Sequence, residues 1–273
     1  MSFDLRETSL AQGEPIALYE FVRGTYVWRY TSAPQAVTLG VLTYTPETIS
    51  HTAVEQSGES KRNGITITVP RGNAVAAQWG VAPPSDAIAV TIRSLHAGDT
   101  DATVEFIGRI AAPQQQGSSV QLTCESAYAS TQRMGLRLAW QIQCPHVLYG
   151  AGCGLDPELW AVPATLSAAS GLGVTAAAFA ALPAGYFAGG YLQFETEPGV
   201  GVYERRSIEA HAGDTLTLNY GAPQLAAGLA VRAYPGCDHS TGPAGCARFN
   251  NLLNNGGAPY MPRKSPNDGT PVF

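Results

Sequence analysis

The sequence predicts a mainly β protein built from two β-rich domains of the sandwich or barrel type. Short segments repeatedly alternate apolar and polar residues with a period of two, which is typical of strands that bury one face. Thirty glycines and nineteen prolines punctuate these segments, as the turns between many short strands require. Few stretches have the periodicity of an amphipathic helix, so the fold class follows from the strands.

The predicted strands follow one another along the whole chain. The first two, Ala17–Val22 and Tyr26–Tyr30, are separated by Arg23-Gly24-Thr25, a spacing that predicts a hairpin. Gly64–Val69 alternates cleanly and ends at Pro70. Further strands are predicted at Ala87–Ile92, Thr103–Ile110, Ser119–Cys124, Arg137–Gln143, Tyr191–Phe194, Thr215–Tyr220 and Leu229–Tyr234.

A polar stretch near the middle of the chain suggests a domain boundary. Ala112–Gly117 contains a proline and three glutamines between two predicted strands. We therefore expect one β-rich domain over residues 1–112 and a second over residues 113–273, although a long hairpin turn would have the same composition. From Gly256 to Phe273 the chain is rich in Pro, Gly and Asn, which predicts an extended arm without a core of its own.

The charge content excludes several classes of function. Charged residues make up 14% of the chain and the net charge is −5, without a run of lysines or arginines, so we expect no nucleic-acid partner. No apolar stretch reaches the roughly 20 residues of a membrane helix, so stable membrane insertion is not expected. Asp4, Arg6 and Glu7 stand where a signal peptide would be apolar, which indicates cytoplasmic synthesis, where disulfides are rare.

The most informative pattern is a repeated C-x8-C unit. It occurs as Cys144–Cys153, in CPHVLYGAGC, and as Cys237–Cys246, in CDHSTGPAGC. Loops of small residues allow the backbone to fold around a bound group while both thiolates point inward, and four thiolates suit either tetrahedral zinc or an iron–sulfur cluster. Two disulfides or buried free thiols remain alternatives.

The long spacing favours a large group over a single ion. Structural zinc sites mostly use C-x2–4-C units, whereas two eight-residue gaps suit a cluster with separated ligation points. His146 and His239 each follow the first cysteine of a pair by two residues and are alternative ligands or supporting donors. Cys124 lies in a predicted strand and is interpreted as a buried small hydrophobe.

The sequence offers little to support an enzyme. Cys144 with His146 and Cys237 with His239 are the only close Cys–His pairs, and residues two apart in a turn need not face each other. The chain lacks a G-x-S-x-G, H-E-x-x-H, Walker or dinucleotide-binding motif. His51, His96 and His211 lie in polar, turn-like settings and are interpreted as surface residues.

Ordered aromatic, Asn, Gly and Pro positions accompany the two cysteine pairs. They are Trp140, Cys144, Tyr149-Gly150, Cys153–Asp156, Cys237, Cys246–Asn251, Asn254, Gly256-Gly257, Pro259 and Met261-Pro262. This set resembles the C-terminal signature of phage tail hub proteins, including the hub of gene transfer agents and, more distantly, tail tip protein L of lambda-type phages. The resemblance is strongest from Trp140 to Pro262. A weaker similarity covers Leu42–Ser50, which resembles a Y-x-P stretch of that family.

This resemblance implies a structural, non-enzymatic role in the virion tail tip. It implies a [4Fe–4S] cluster on Cys144, Cys153, Cys237 and Cys246, with zinc as the second choice of metal. It also implies a ring, expected to be a homotrimer, that contacts a distal tail protein on one side and a central tip or fibre protein on the other. The alternative is a tail-associated cell-wall hydrolase that uses Cys and His.

Overall fold

Two compact units make up the chain. The structure is a computed structural model that describes residues 8, 15–54, 64–80, 82–132, 135 and 138–262. Unit 1 comprises Met1–Arg133 together with Glu197–Val202, and unit 2 comprises Met134–Thr196 together with Tyr203–Phe273. Within the described residues, no helix is long and apolar enough to cross a membrane.

Unit 1 contains one sheet, which has nine strands in the described part of the chain. In chain order the strands are β1 (Pro15–Arg23), β2 (Tyr26–Thr31), β3 (Val37–Leu39), β4 (Leu42–Pro46), β5 (Ser50–His51), β6 (Ile65–Pro70), β7 (Ala89–His96), β8 (Thr103–Gln116) and β9 (Ser119–Ser126). Their order across the sheet is β3-β4-β2-β1-β7-β8-β9-β6-β5.

The predicted β1–β2 hairpin is confirmed. Arg23 pairs with Tyr26 across the two-residue turn Gly24-Thr25, and Gly24 has a positive φ of 57°, which glycine adopts without strain. Pairing is antiparallel throughout the sheet except between β2 and β4. The hydroxyl of Tyr19 on β1 lies 2.7 Å from Nδ1 of His51 on the distant edge strand β5. This contact across the sheet shows that the sheet is strongly curled.

The concave side of this sheet holds the core of unit 1. Strand β6 alternates buried and half-buried residues along its length, as the period-two pattern of its sequence predicts. Its buried residues pack with those of β1, β7, β8 and β9, including Phe21, Ile92 and Leu122. A single helical turn, α1 (Ala74–Ala77), begins where the side chain of Asn73 accepts a hydrogen bond from the backbone N–H of Val75.

Unit 2 contains a second sheet, with seven strands among the described residues. The strands are β10 (Val162–Thr165), β11 (Ala168–Ser170), β12 (Gly173–Thr175), β13 (Tyr191–Glu195), β14 (Tyr203–Ala212), β15 (Thr215–Leu218) and β16 (Ala230–Tyr234). Their order is β10-β16-β13-β14-β15-β12-β11.

This second sheet is nearly closed. Strands β10 and β11 lie at its opposite edges, yet only Leu166 and Ser167 connect them. Since each residue spans at most about 3.6 Å, the two edges come close together at this corner. The barrel-like curl encloses a core of aliphatic and aromatic side chains that includes Phe179, Phe187 and Leu216.

The mainly β prediction is confirmed, but several details differ. The boundary expected after Ala112 lies inside β8, whereas the chain divides into units after Arg133. Residues 111–116 at the end of β8 are all exposed or half-buried, so this part of the strand has the Pro- and Gln-rich composition of a linker although it pairs with β9.

The strand predicted at Arg137–Gln143 is wrong for the residues that the structure describes, 138–143, which are irregular. They have no neighbouring strand, and the carbonyl of Gln141 accepts a hydrogen bond from the N–H of Ala258 instead. This bond holds the first part of the predicted arm against its own unit, and the N–H of Met261 donates to the Ala258 carbonyl in a turn within the arm. Residues 263–273, the remainder of that arm, lie outside the described residues.

Candidate metal centre

The pairing of β10 with β16 explains why the two cysteine loops meet. These strands are antiparallel, with Val162 at the start of β10 opposite Ala233 near the end of β16. The chain before β10 and the chain after β16 therefore emerge at the same end of the sheet. Cys144 and Cys153 belong to the first of these segments, and Cys237 and Cys246 to the second.

The two loops are joined by reciprocal hydrogen bonds. The backbone N–H of Cys144 donates to the carbonyl of His239 at 2.8 Å. In return, Nδ1 of His239 donates to the carbonyl of Cys144 at 3.0 Å. This pair of bonds fixes the first cysteine of one loop beside His239 of the other.

Each of the four sulfurs in these loops lies within hydrogen-bond reach of one N–H donor. The donors are the backbone N–H of His239 to Cys237 (3.3 Å), Nδ2 of Asn251 to Cys153 (3.7 Å), Nδ2 of Asn255 to Cys246 (3.2 Å) and the backbone N–H of Gly256 to Cys144 (3.4 Å). A sulfur that accepts such bonds is stabilised as a thiolate, which is the form that binds metals.

Aromatic rings pack beneath the loops and hold them on the sheet. Tyr149, between the first two cysteines, makes edge contacts with Tyr191, Tyr234 and Phe249. Its hydroxyl donates to the carbonyl of Pro235 at 2.9 Å, close to Cys237 in sequence. Burial of these rings offsets the entropy lost when irregular loops become ordered.

Arg248 and Glu158 supply the polar anchors of the same region. Nη1 of Arg248 donates to the carbonyls of Tyr186 and Gly236, at 2.7 and 2.9 Å. Glu158, which follows Cys153, accepts hydrogen bonds from Arg232 and from the hydroxyl of Tyr234 on β16. Both cysteine loops are thus tied to β16 or its immediate continuation.

The backbone is most strained in this region. Among the described residues, the non-glycine residues with positive φ are Tyr149 (60°), His239 (63°) and Asn250 (51°), and all three adjoin the cysteine loops. A left-handed conformation costs a non-glycine residue of order 1 kcal/mol or more, and such residues concentrate at functional sites. The rest of the fold therefore stabilises these three residues in backbone conformations that are locally unfavourable.

The thiols differ in their electrostatics. Burial raises the pKa of Cys237, and the nearby Cys246 and Cys153 raise it further, while the His239 N–H lowers it. Mutual repulsion of this kind is relieved when a cation or metal cluster binds the thiolates. Cys124 is 1% exposed in the core of unit 1, and burial raises its pKa to about 12, which confirms it as a buried small hydrophobe.

The two histidines of the cysteine loops have different surroundings. The imidazole of His239 is bonded to a carbonyl and not to the Cys237 thiol. The ring of His146 lies against two glycines, since a Cβ on Gly152 would approach its Nδ1 to 2.5 Å and a Cβ on Gly256 its Nε2 to 2.5 Å. The His239 arrangement differs from that of a thiolate poised beside a general base.

The surface assignment of the remaining histidines is wrong for two of them. His96 is 1% exposed and His211 5% exposed. His211 satisfies its buried Nε2 by donating to the carbonyls of Phe179 and Gly213, an arrangement that its polar sequence neighbours could not reveal.

The two loops that carry the four candidate ligands are joined by hydrogen bonds, but the metal centre itself stays a prediction. All five cysteines are free thiols, which speaks against the disulfide alternative. Within the described residues, no group of three or more His, Cys, Asp or Glu side chains is placed to hold a metal ion. Sequence reasoning missed Asn255 as a contact of the site, although the Asn- and Gly-rich run after Cys246 was the available signal.

Part of the chain matches a family of phage-conserved proteins, and the fold of the whole chain matches that of a solved structure. Residues 185–265, which include Cys237 and Cys246, match the family model described as "Phage conserved hypothetical protein BR0599". A chain of the virion of a native gene transfer agent (GTA) particle superposes with a TM-score of 0.79, over 100% of this chain and 99% of that one, at 19% sequence identity. The two chains share one fold.

A relative is also found by sequence. A protein of Xylella fastidiosa (strain 9a5c), described as uncharacterized, is 29% identical over 174 residues, which make up 58% of this chain. The match takes in 36% of the relative's own length, so this chain corresponds to little more than a third of it.

Proposed function

We propose that this protein is a structural component of a phage-type virion, the hub of its tail tip. The observation that carries the proposal is the likeness to a GTA virion chain, which extends over the full length of both chains and both β units. As a hub, it would form a homotrimeric ring at the tail tip, between a distal tail protein and a central tip or fibre protein. The phage-conserved segment 185–265 supports the same assignment.

The surface around the cysteines suits an assembly protein. Large apolar side chains are exposed there, including Trp140 (88%), Leu253 (100%) and Tyr260 (98%). The hydrogen bond from the N–H of Ala258 to the carbonyl of Gln141 joins the segments that carry Trp140 and Tyr260. Apolar groups grouped on a surface usually mark a site of contact with another protein.

We further propose that Cys144, Cys153, Cys237 and Cys246 hold a [4Fe–4S] cluster. The donor set fits the group, since such clusters are bound by four cysteine thiolates whose sulfurs accept hydrogen bonds, and each sulfur here has one N–H donor. Zinc is the second choice, since four thiolates also satisfy a tetrahedral ion. When bound, the group would cross-link the segments before β10 and after β16.

The role proposed for the metal is structural. Four thiolates occupy all ligand positions of a tetrahedral zinc ion, or one position on each iron of a cube, and leave no open site for a substrate. The chain's own residues orient the thiolates and stabilise their charge with N–H donors. The cluster would then maintain the geometry of the proposed ring.

Two experiments test these proposals separately. Iron, acid-labile sulfide and zinc are measured in protein purified without oxygen, and four irons with four sulfides per chain are expected if the cluster is present. A full complement of zinc without sulfide would replace the cluster by the zinc site.

For the hub, native mass spectrometry of the purified chain is expected to show trimers, and gold-labelled antibody is expected to bind particles only at the tail tip. Labelling along the tail or on the head would overturn the hub assignment.

A further inference from the structure

A six-residue stretch, Asn251–Gly256, provides three of the four N–H donors to the cysteine sulfurs. We call it the asparagine segment. It reaches Cys153, Cys246 and Cys144, so it contacts both cysteine loops although it follows only one of them. The fourth donor, the His239 backbone, lies within the second loop itself.

The amide groups of this segment are held in one orientation. The Oδ1 atom of Asn251 accepts a hydrogen bond from Nδ2 of Asn254 at 2.7 Å. The Oδ1 atom of Asn255 accepts one from the backbone N–H of Gly257 at 2.9 Å. Since each oxygen is engaged by a donor, each Nδ2 must face its sulfur, and an amide flip would break two favourable contacts at once.

Asn251 is fixed by a further bond. Its Nδ2 also donates to the carbonyl of Cys153 at 2.7 Å, so a single side chain orients both the backbone and the sulfur of that cysteine. Asn251 is itself 9% exposed, which shields these bonds from competing water.

Position 256 requires glycine. A Cβ there would approach the ring of His146 to 2.5 Å, so any side chain would displace either the ring or the backbone. Displacement of the backbone would withdraw the Gly256 N–H from Sγ of Cys144, 3.4 Å away. Because Gly256 has no side chain, its backbone N–H can lie close both to the His146 ring and to Sγ of Cys144.

We propose that Asn251, Asn255 and Gly256 are positioning residues for the metal group, donating N–H groups to three of its four thiolates and setting its reduction potential. This inference rests on the proposed cluster but not on the hub role. Hydrogen bonds to ligand sulfurs stabilise added negative charge, so they favour the reduced state and raise the potential. Loss of a donor therefore lowers the potential even where all four cysteines remain.

The test compares the reduction potential of full-length variants reconstituted with iron and sulfide. Asn255→Leu removes the donor without adding charge, and Asn255→Asp removes it while keeping the oxygen that accepts from Gly257. Leu253→Ala is the control, because the Leu253 side chain lies in the same segment and is 100% exposed. Both Asn255 variants are expected to have a lower potential than the wild type, and Leu253→Ala an unchanged one.

A second readout is the rate of iron loss to a chelator. A hydrogen bond to a charged group is worth enough to change an equilibrium by roughly tenfold, so about tenfold faster release is expected for Asn255→Leu than for the control. If only the charged Asp variant shifts the potential, the effect is that of the added charge and the inference fails. Equal potentials in all variants also overturn it.

The outcomes separate this inference from the proposals on which it depends. If the wild-type chain binds no iron and sulfide, the cluster proposal fails and this inference fails with it. If iron binds fully and the potentials are equal, only the asparagine segment loses its role. Should the Asn255 variants not fold, Asn251→Leu takes their place: its folding is compared with that of the wild type by circular dichroism, and its potential is expected to be lower in the same titration. An unchanged potential in folded Asn251→Leu would then overturn the inference.

Discussion

The backbone N–H of Gly256 lies 3.4 Å from Sγ of Cys144, although 112 residues separate the two in sequence. The antiparallel pairing of β10 with β16 makes this contact available, because it brings both flanking segments to one end of the sheet. The site therefore forms only after unit 2 has folded, and a bound metal group would in turn stabilise that fold.

The first prediction concerns the ligands. Replacing Cys237 with serine should abolish bound iron and lower the free energy of unfolding of unit 2 by about 4.6 kcal/mol, the loop-closure value for a cross-link over a loop of roughly ninety residues. Iron content and denaturant unfolding measure the two effects. The conservative replacement Cys124→Ser should leave iron unchanged, since that thiol lies in the core of unit 1. Full iron in Cys237→Ser would disprove the four-thiolate site.

Much of the sheet structure could be predicted from the sequence, because strand identity depends on local alternation. The β1–β2 hairpin and β6 follow directly from their patterns. The partners of each strand could not be predicted in this way. Nothing local in Val162–Thr165 indicates that it pairs with β16, and the convergence of the cysteine loops depends on that pairing.

The candidate site was predictable to a similar extent. The repeated spacing of the cysteines identified the four candidate ligands, and the structure brings their loops together. The donors to their sulfurs could not be identified, because an asparagine in an Asn- and Gly-rich stretch is equally typical of a turn. The burial of His211 could not be predicted either. Its Nε2 donates to the carbonyls of Phe179 and Gly213, and the Phe179 carbonyl is brought near only by the fold.

A second prediction concerns Gly236, which directly precedes Cys237. A Cβ at this position would overlap the carbonyl oxygen of Ala188 and lie 2.6 Å from the backbone nitrogen of Gly190. Because the obstacle is backbone, Gly236→Ala should cost about 3 kcal/mol of stability and reduce iron binding by moving Cys237. Gly72→Ala, where a Cβ would meet nothing within 4 Å, is the control. Melting temperature and iron content should both fall in Gly236→Ala. Both should be unchanged in Gly72→Ala.

A third prediction is a pH dependence in unit 1. Burial lowers the pKa of His51 below its usual 6.5, and the opposing effect of Glu105 is smaller. The unfolded chain therefore binds a proton more readily than the folded one, so stability is full above pH 6.5 and falls as the pH drops below it. His51→Gln keeps an acceptor for the Tyr19 hydroxyl but does not titrate. Chemical unfolding between pH 7.5 and 5 should show a shallower loss of stability in this variant, and identical slopes would contradict the assignment.

The last prediction tests whether the exposed apolar surface is an interface. Trp140 and Tyr260 are 88% and 98% exposed, so their replacement by serine removes few contacts within the chain. We expect the double variant Trp140→Ser, Tyr260→Ser to fold, to melt within a few degrees of the wild type and to bind iron fully. Its incorporation into particles should nevertheless fall by tenfold or more, since buried aromatic anchors carry much of the energy of a protein interface.

Val41→Ser is the matched control: Val41 is 96% exposed, but it lies in the turn between β3 and β4 of unit 1. Particle yield and the amount of the chain in purified particles measure the outcome. Normal incorporation of the double variant would show that these side chains contact nothing essential, and the hub would then have to assemble through another surface.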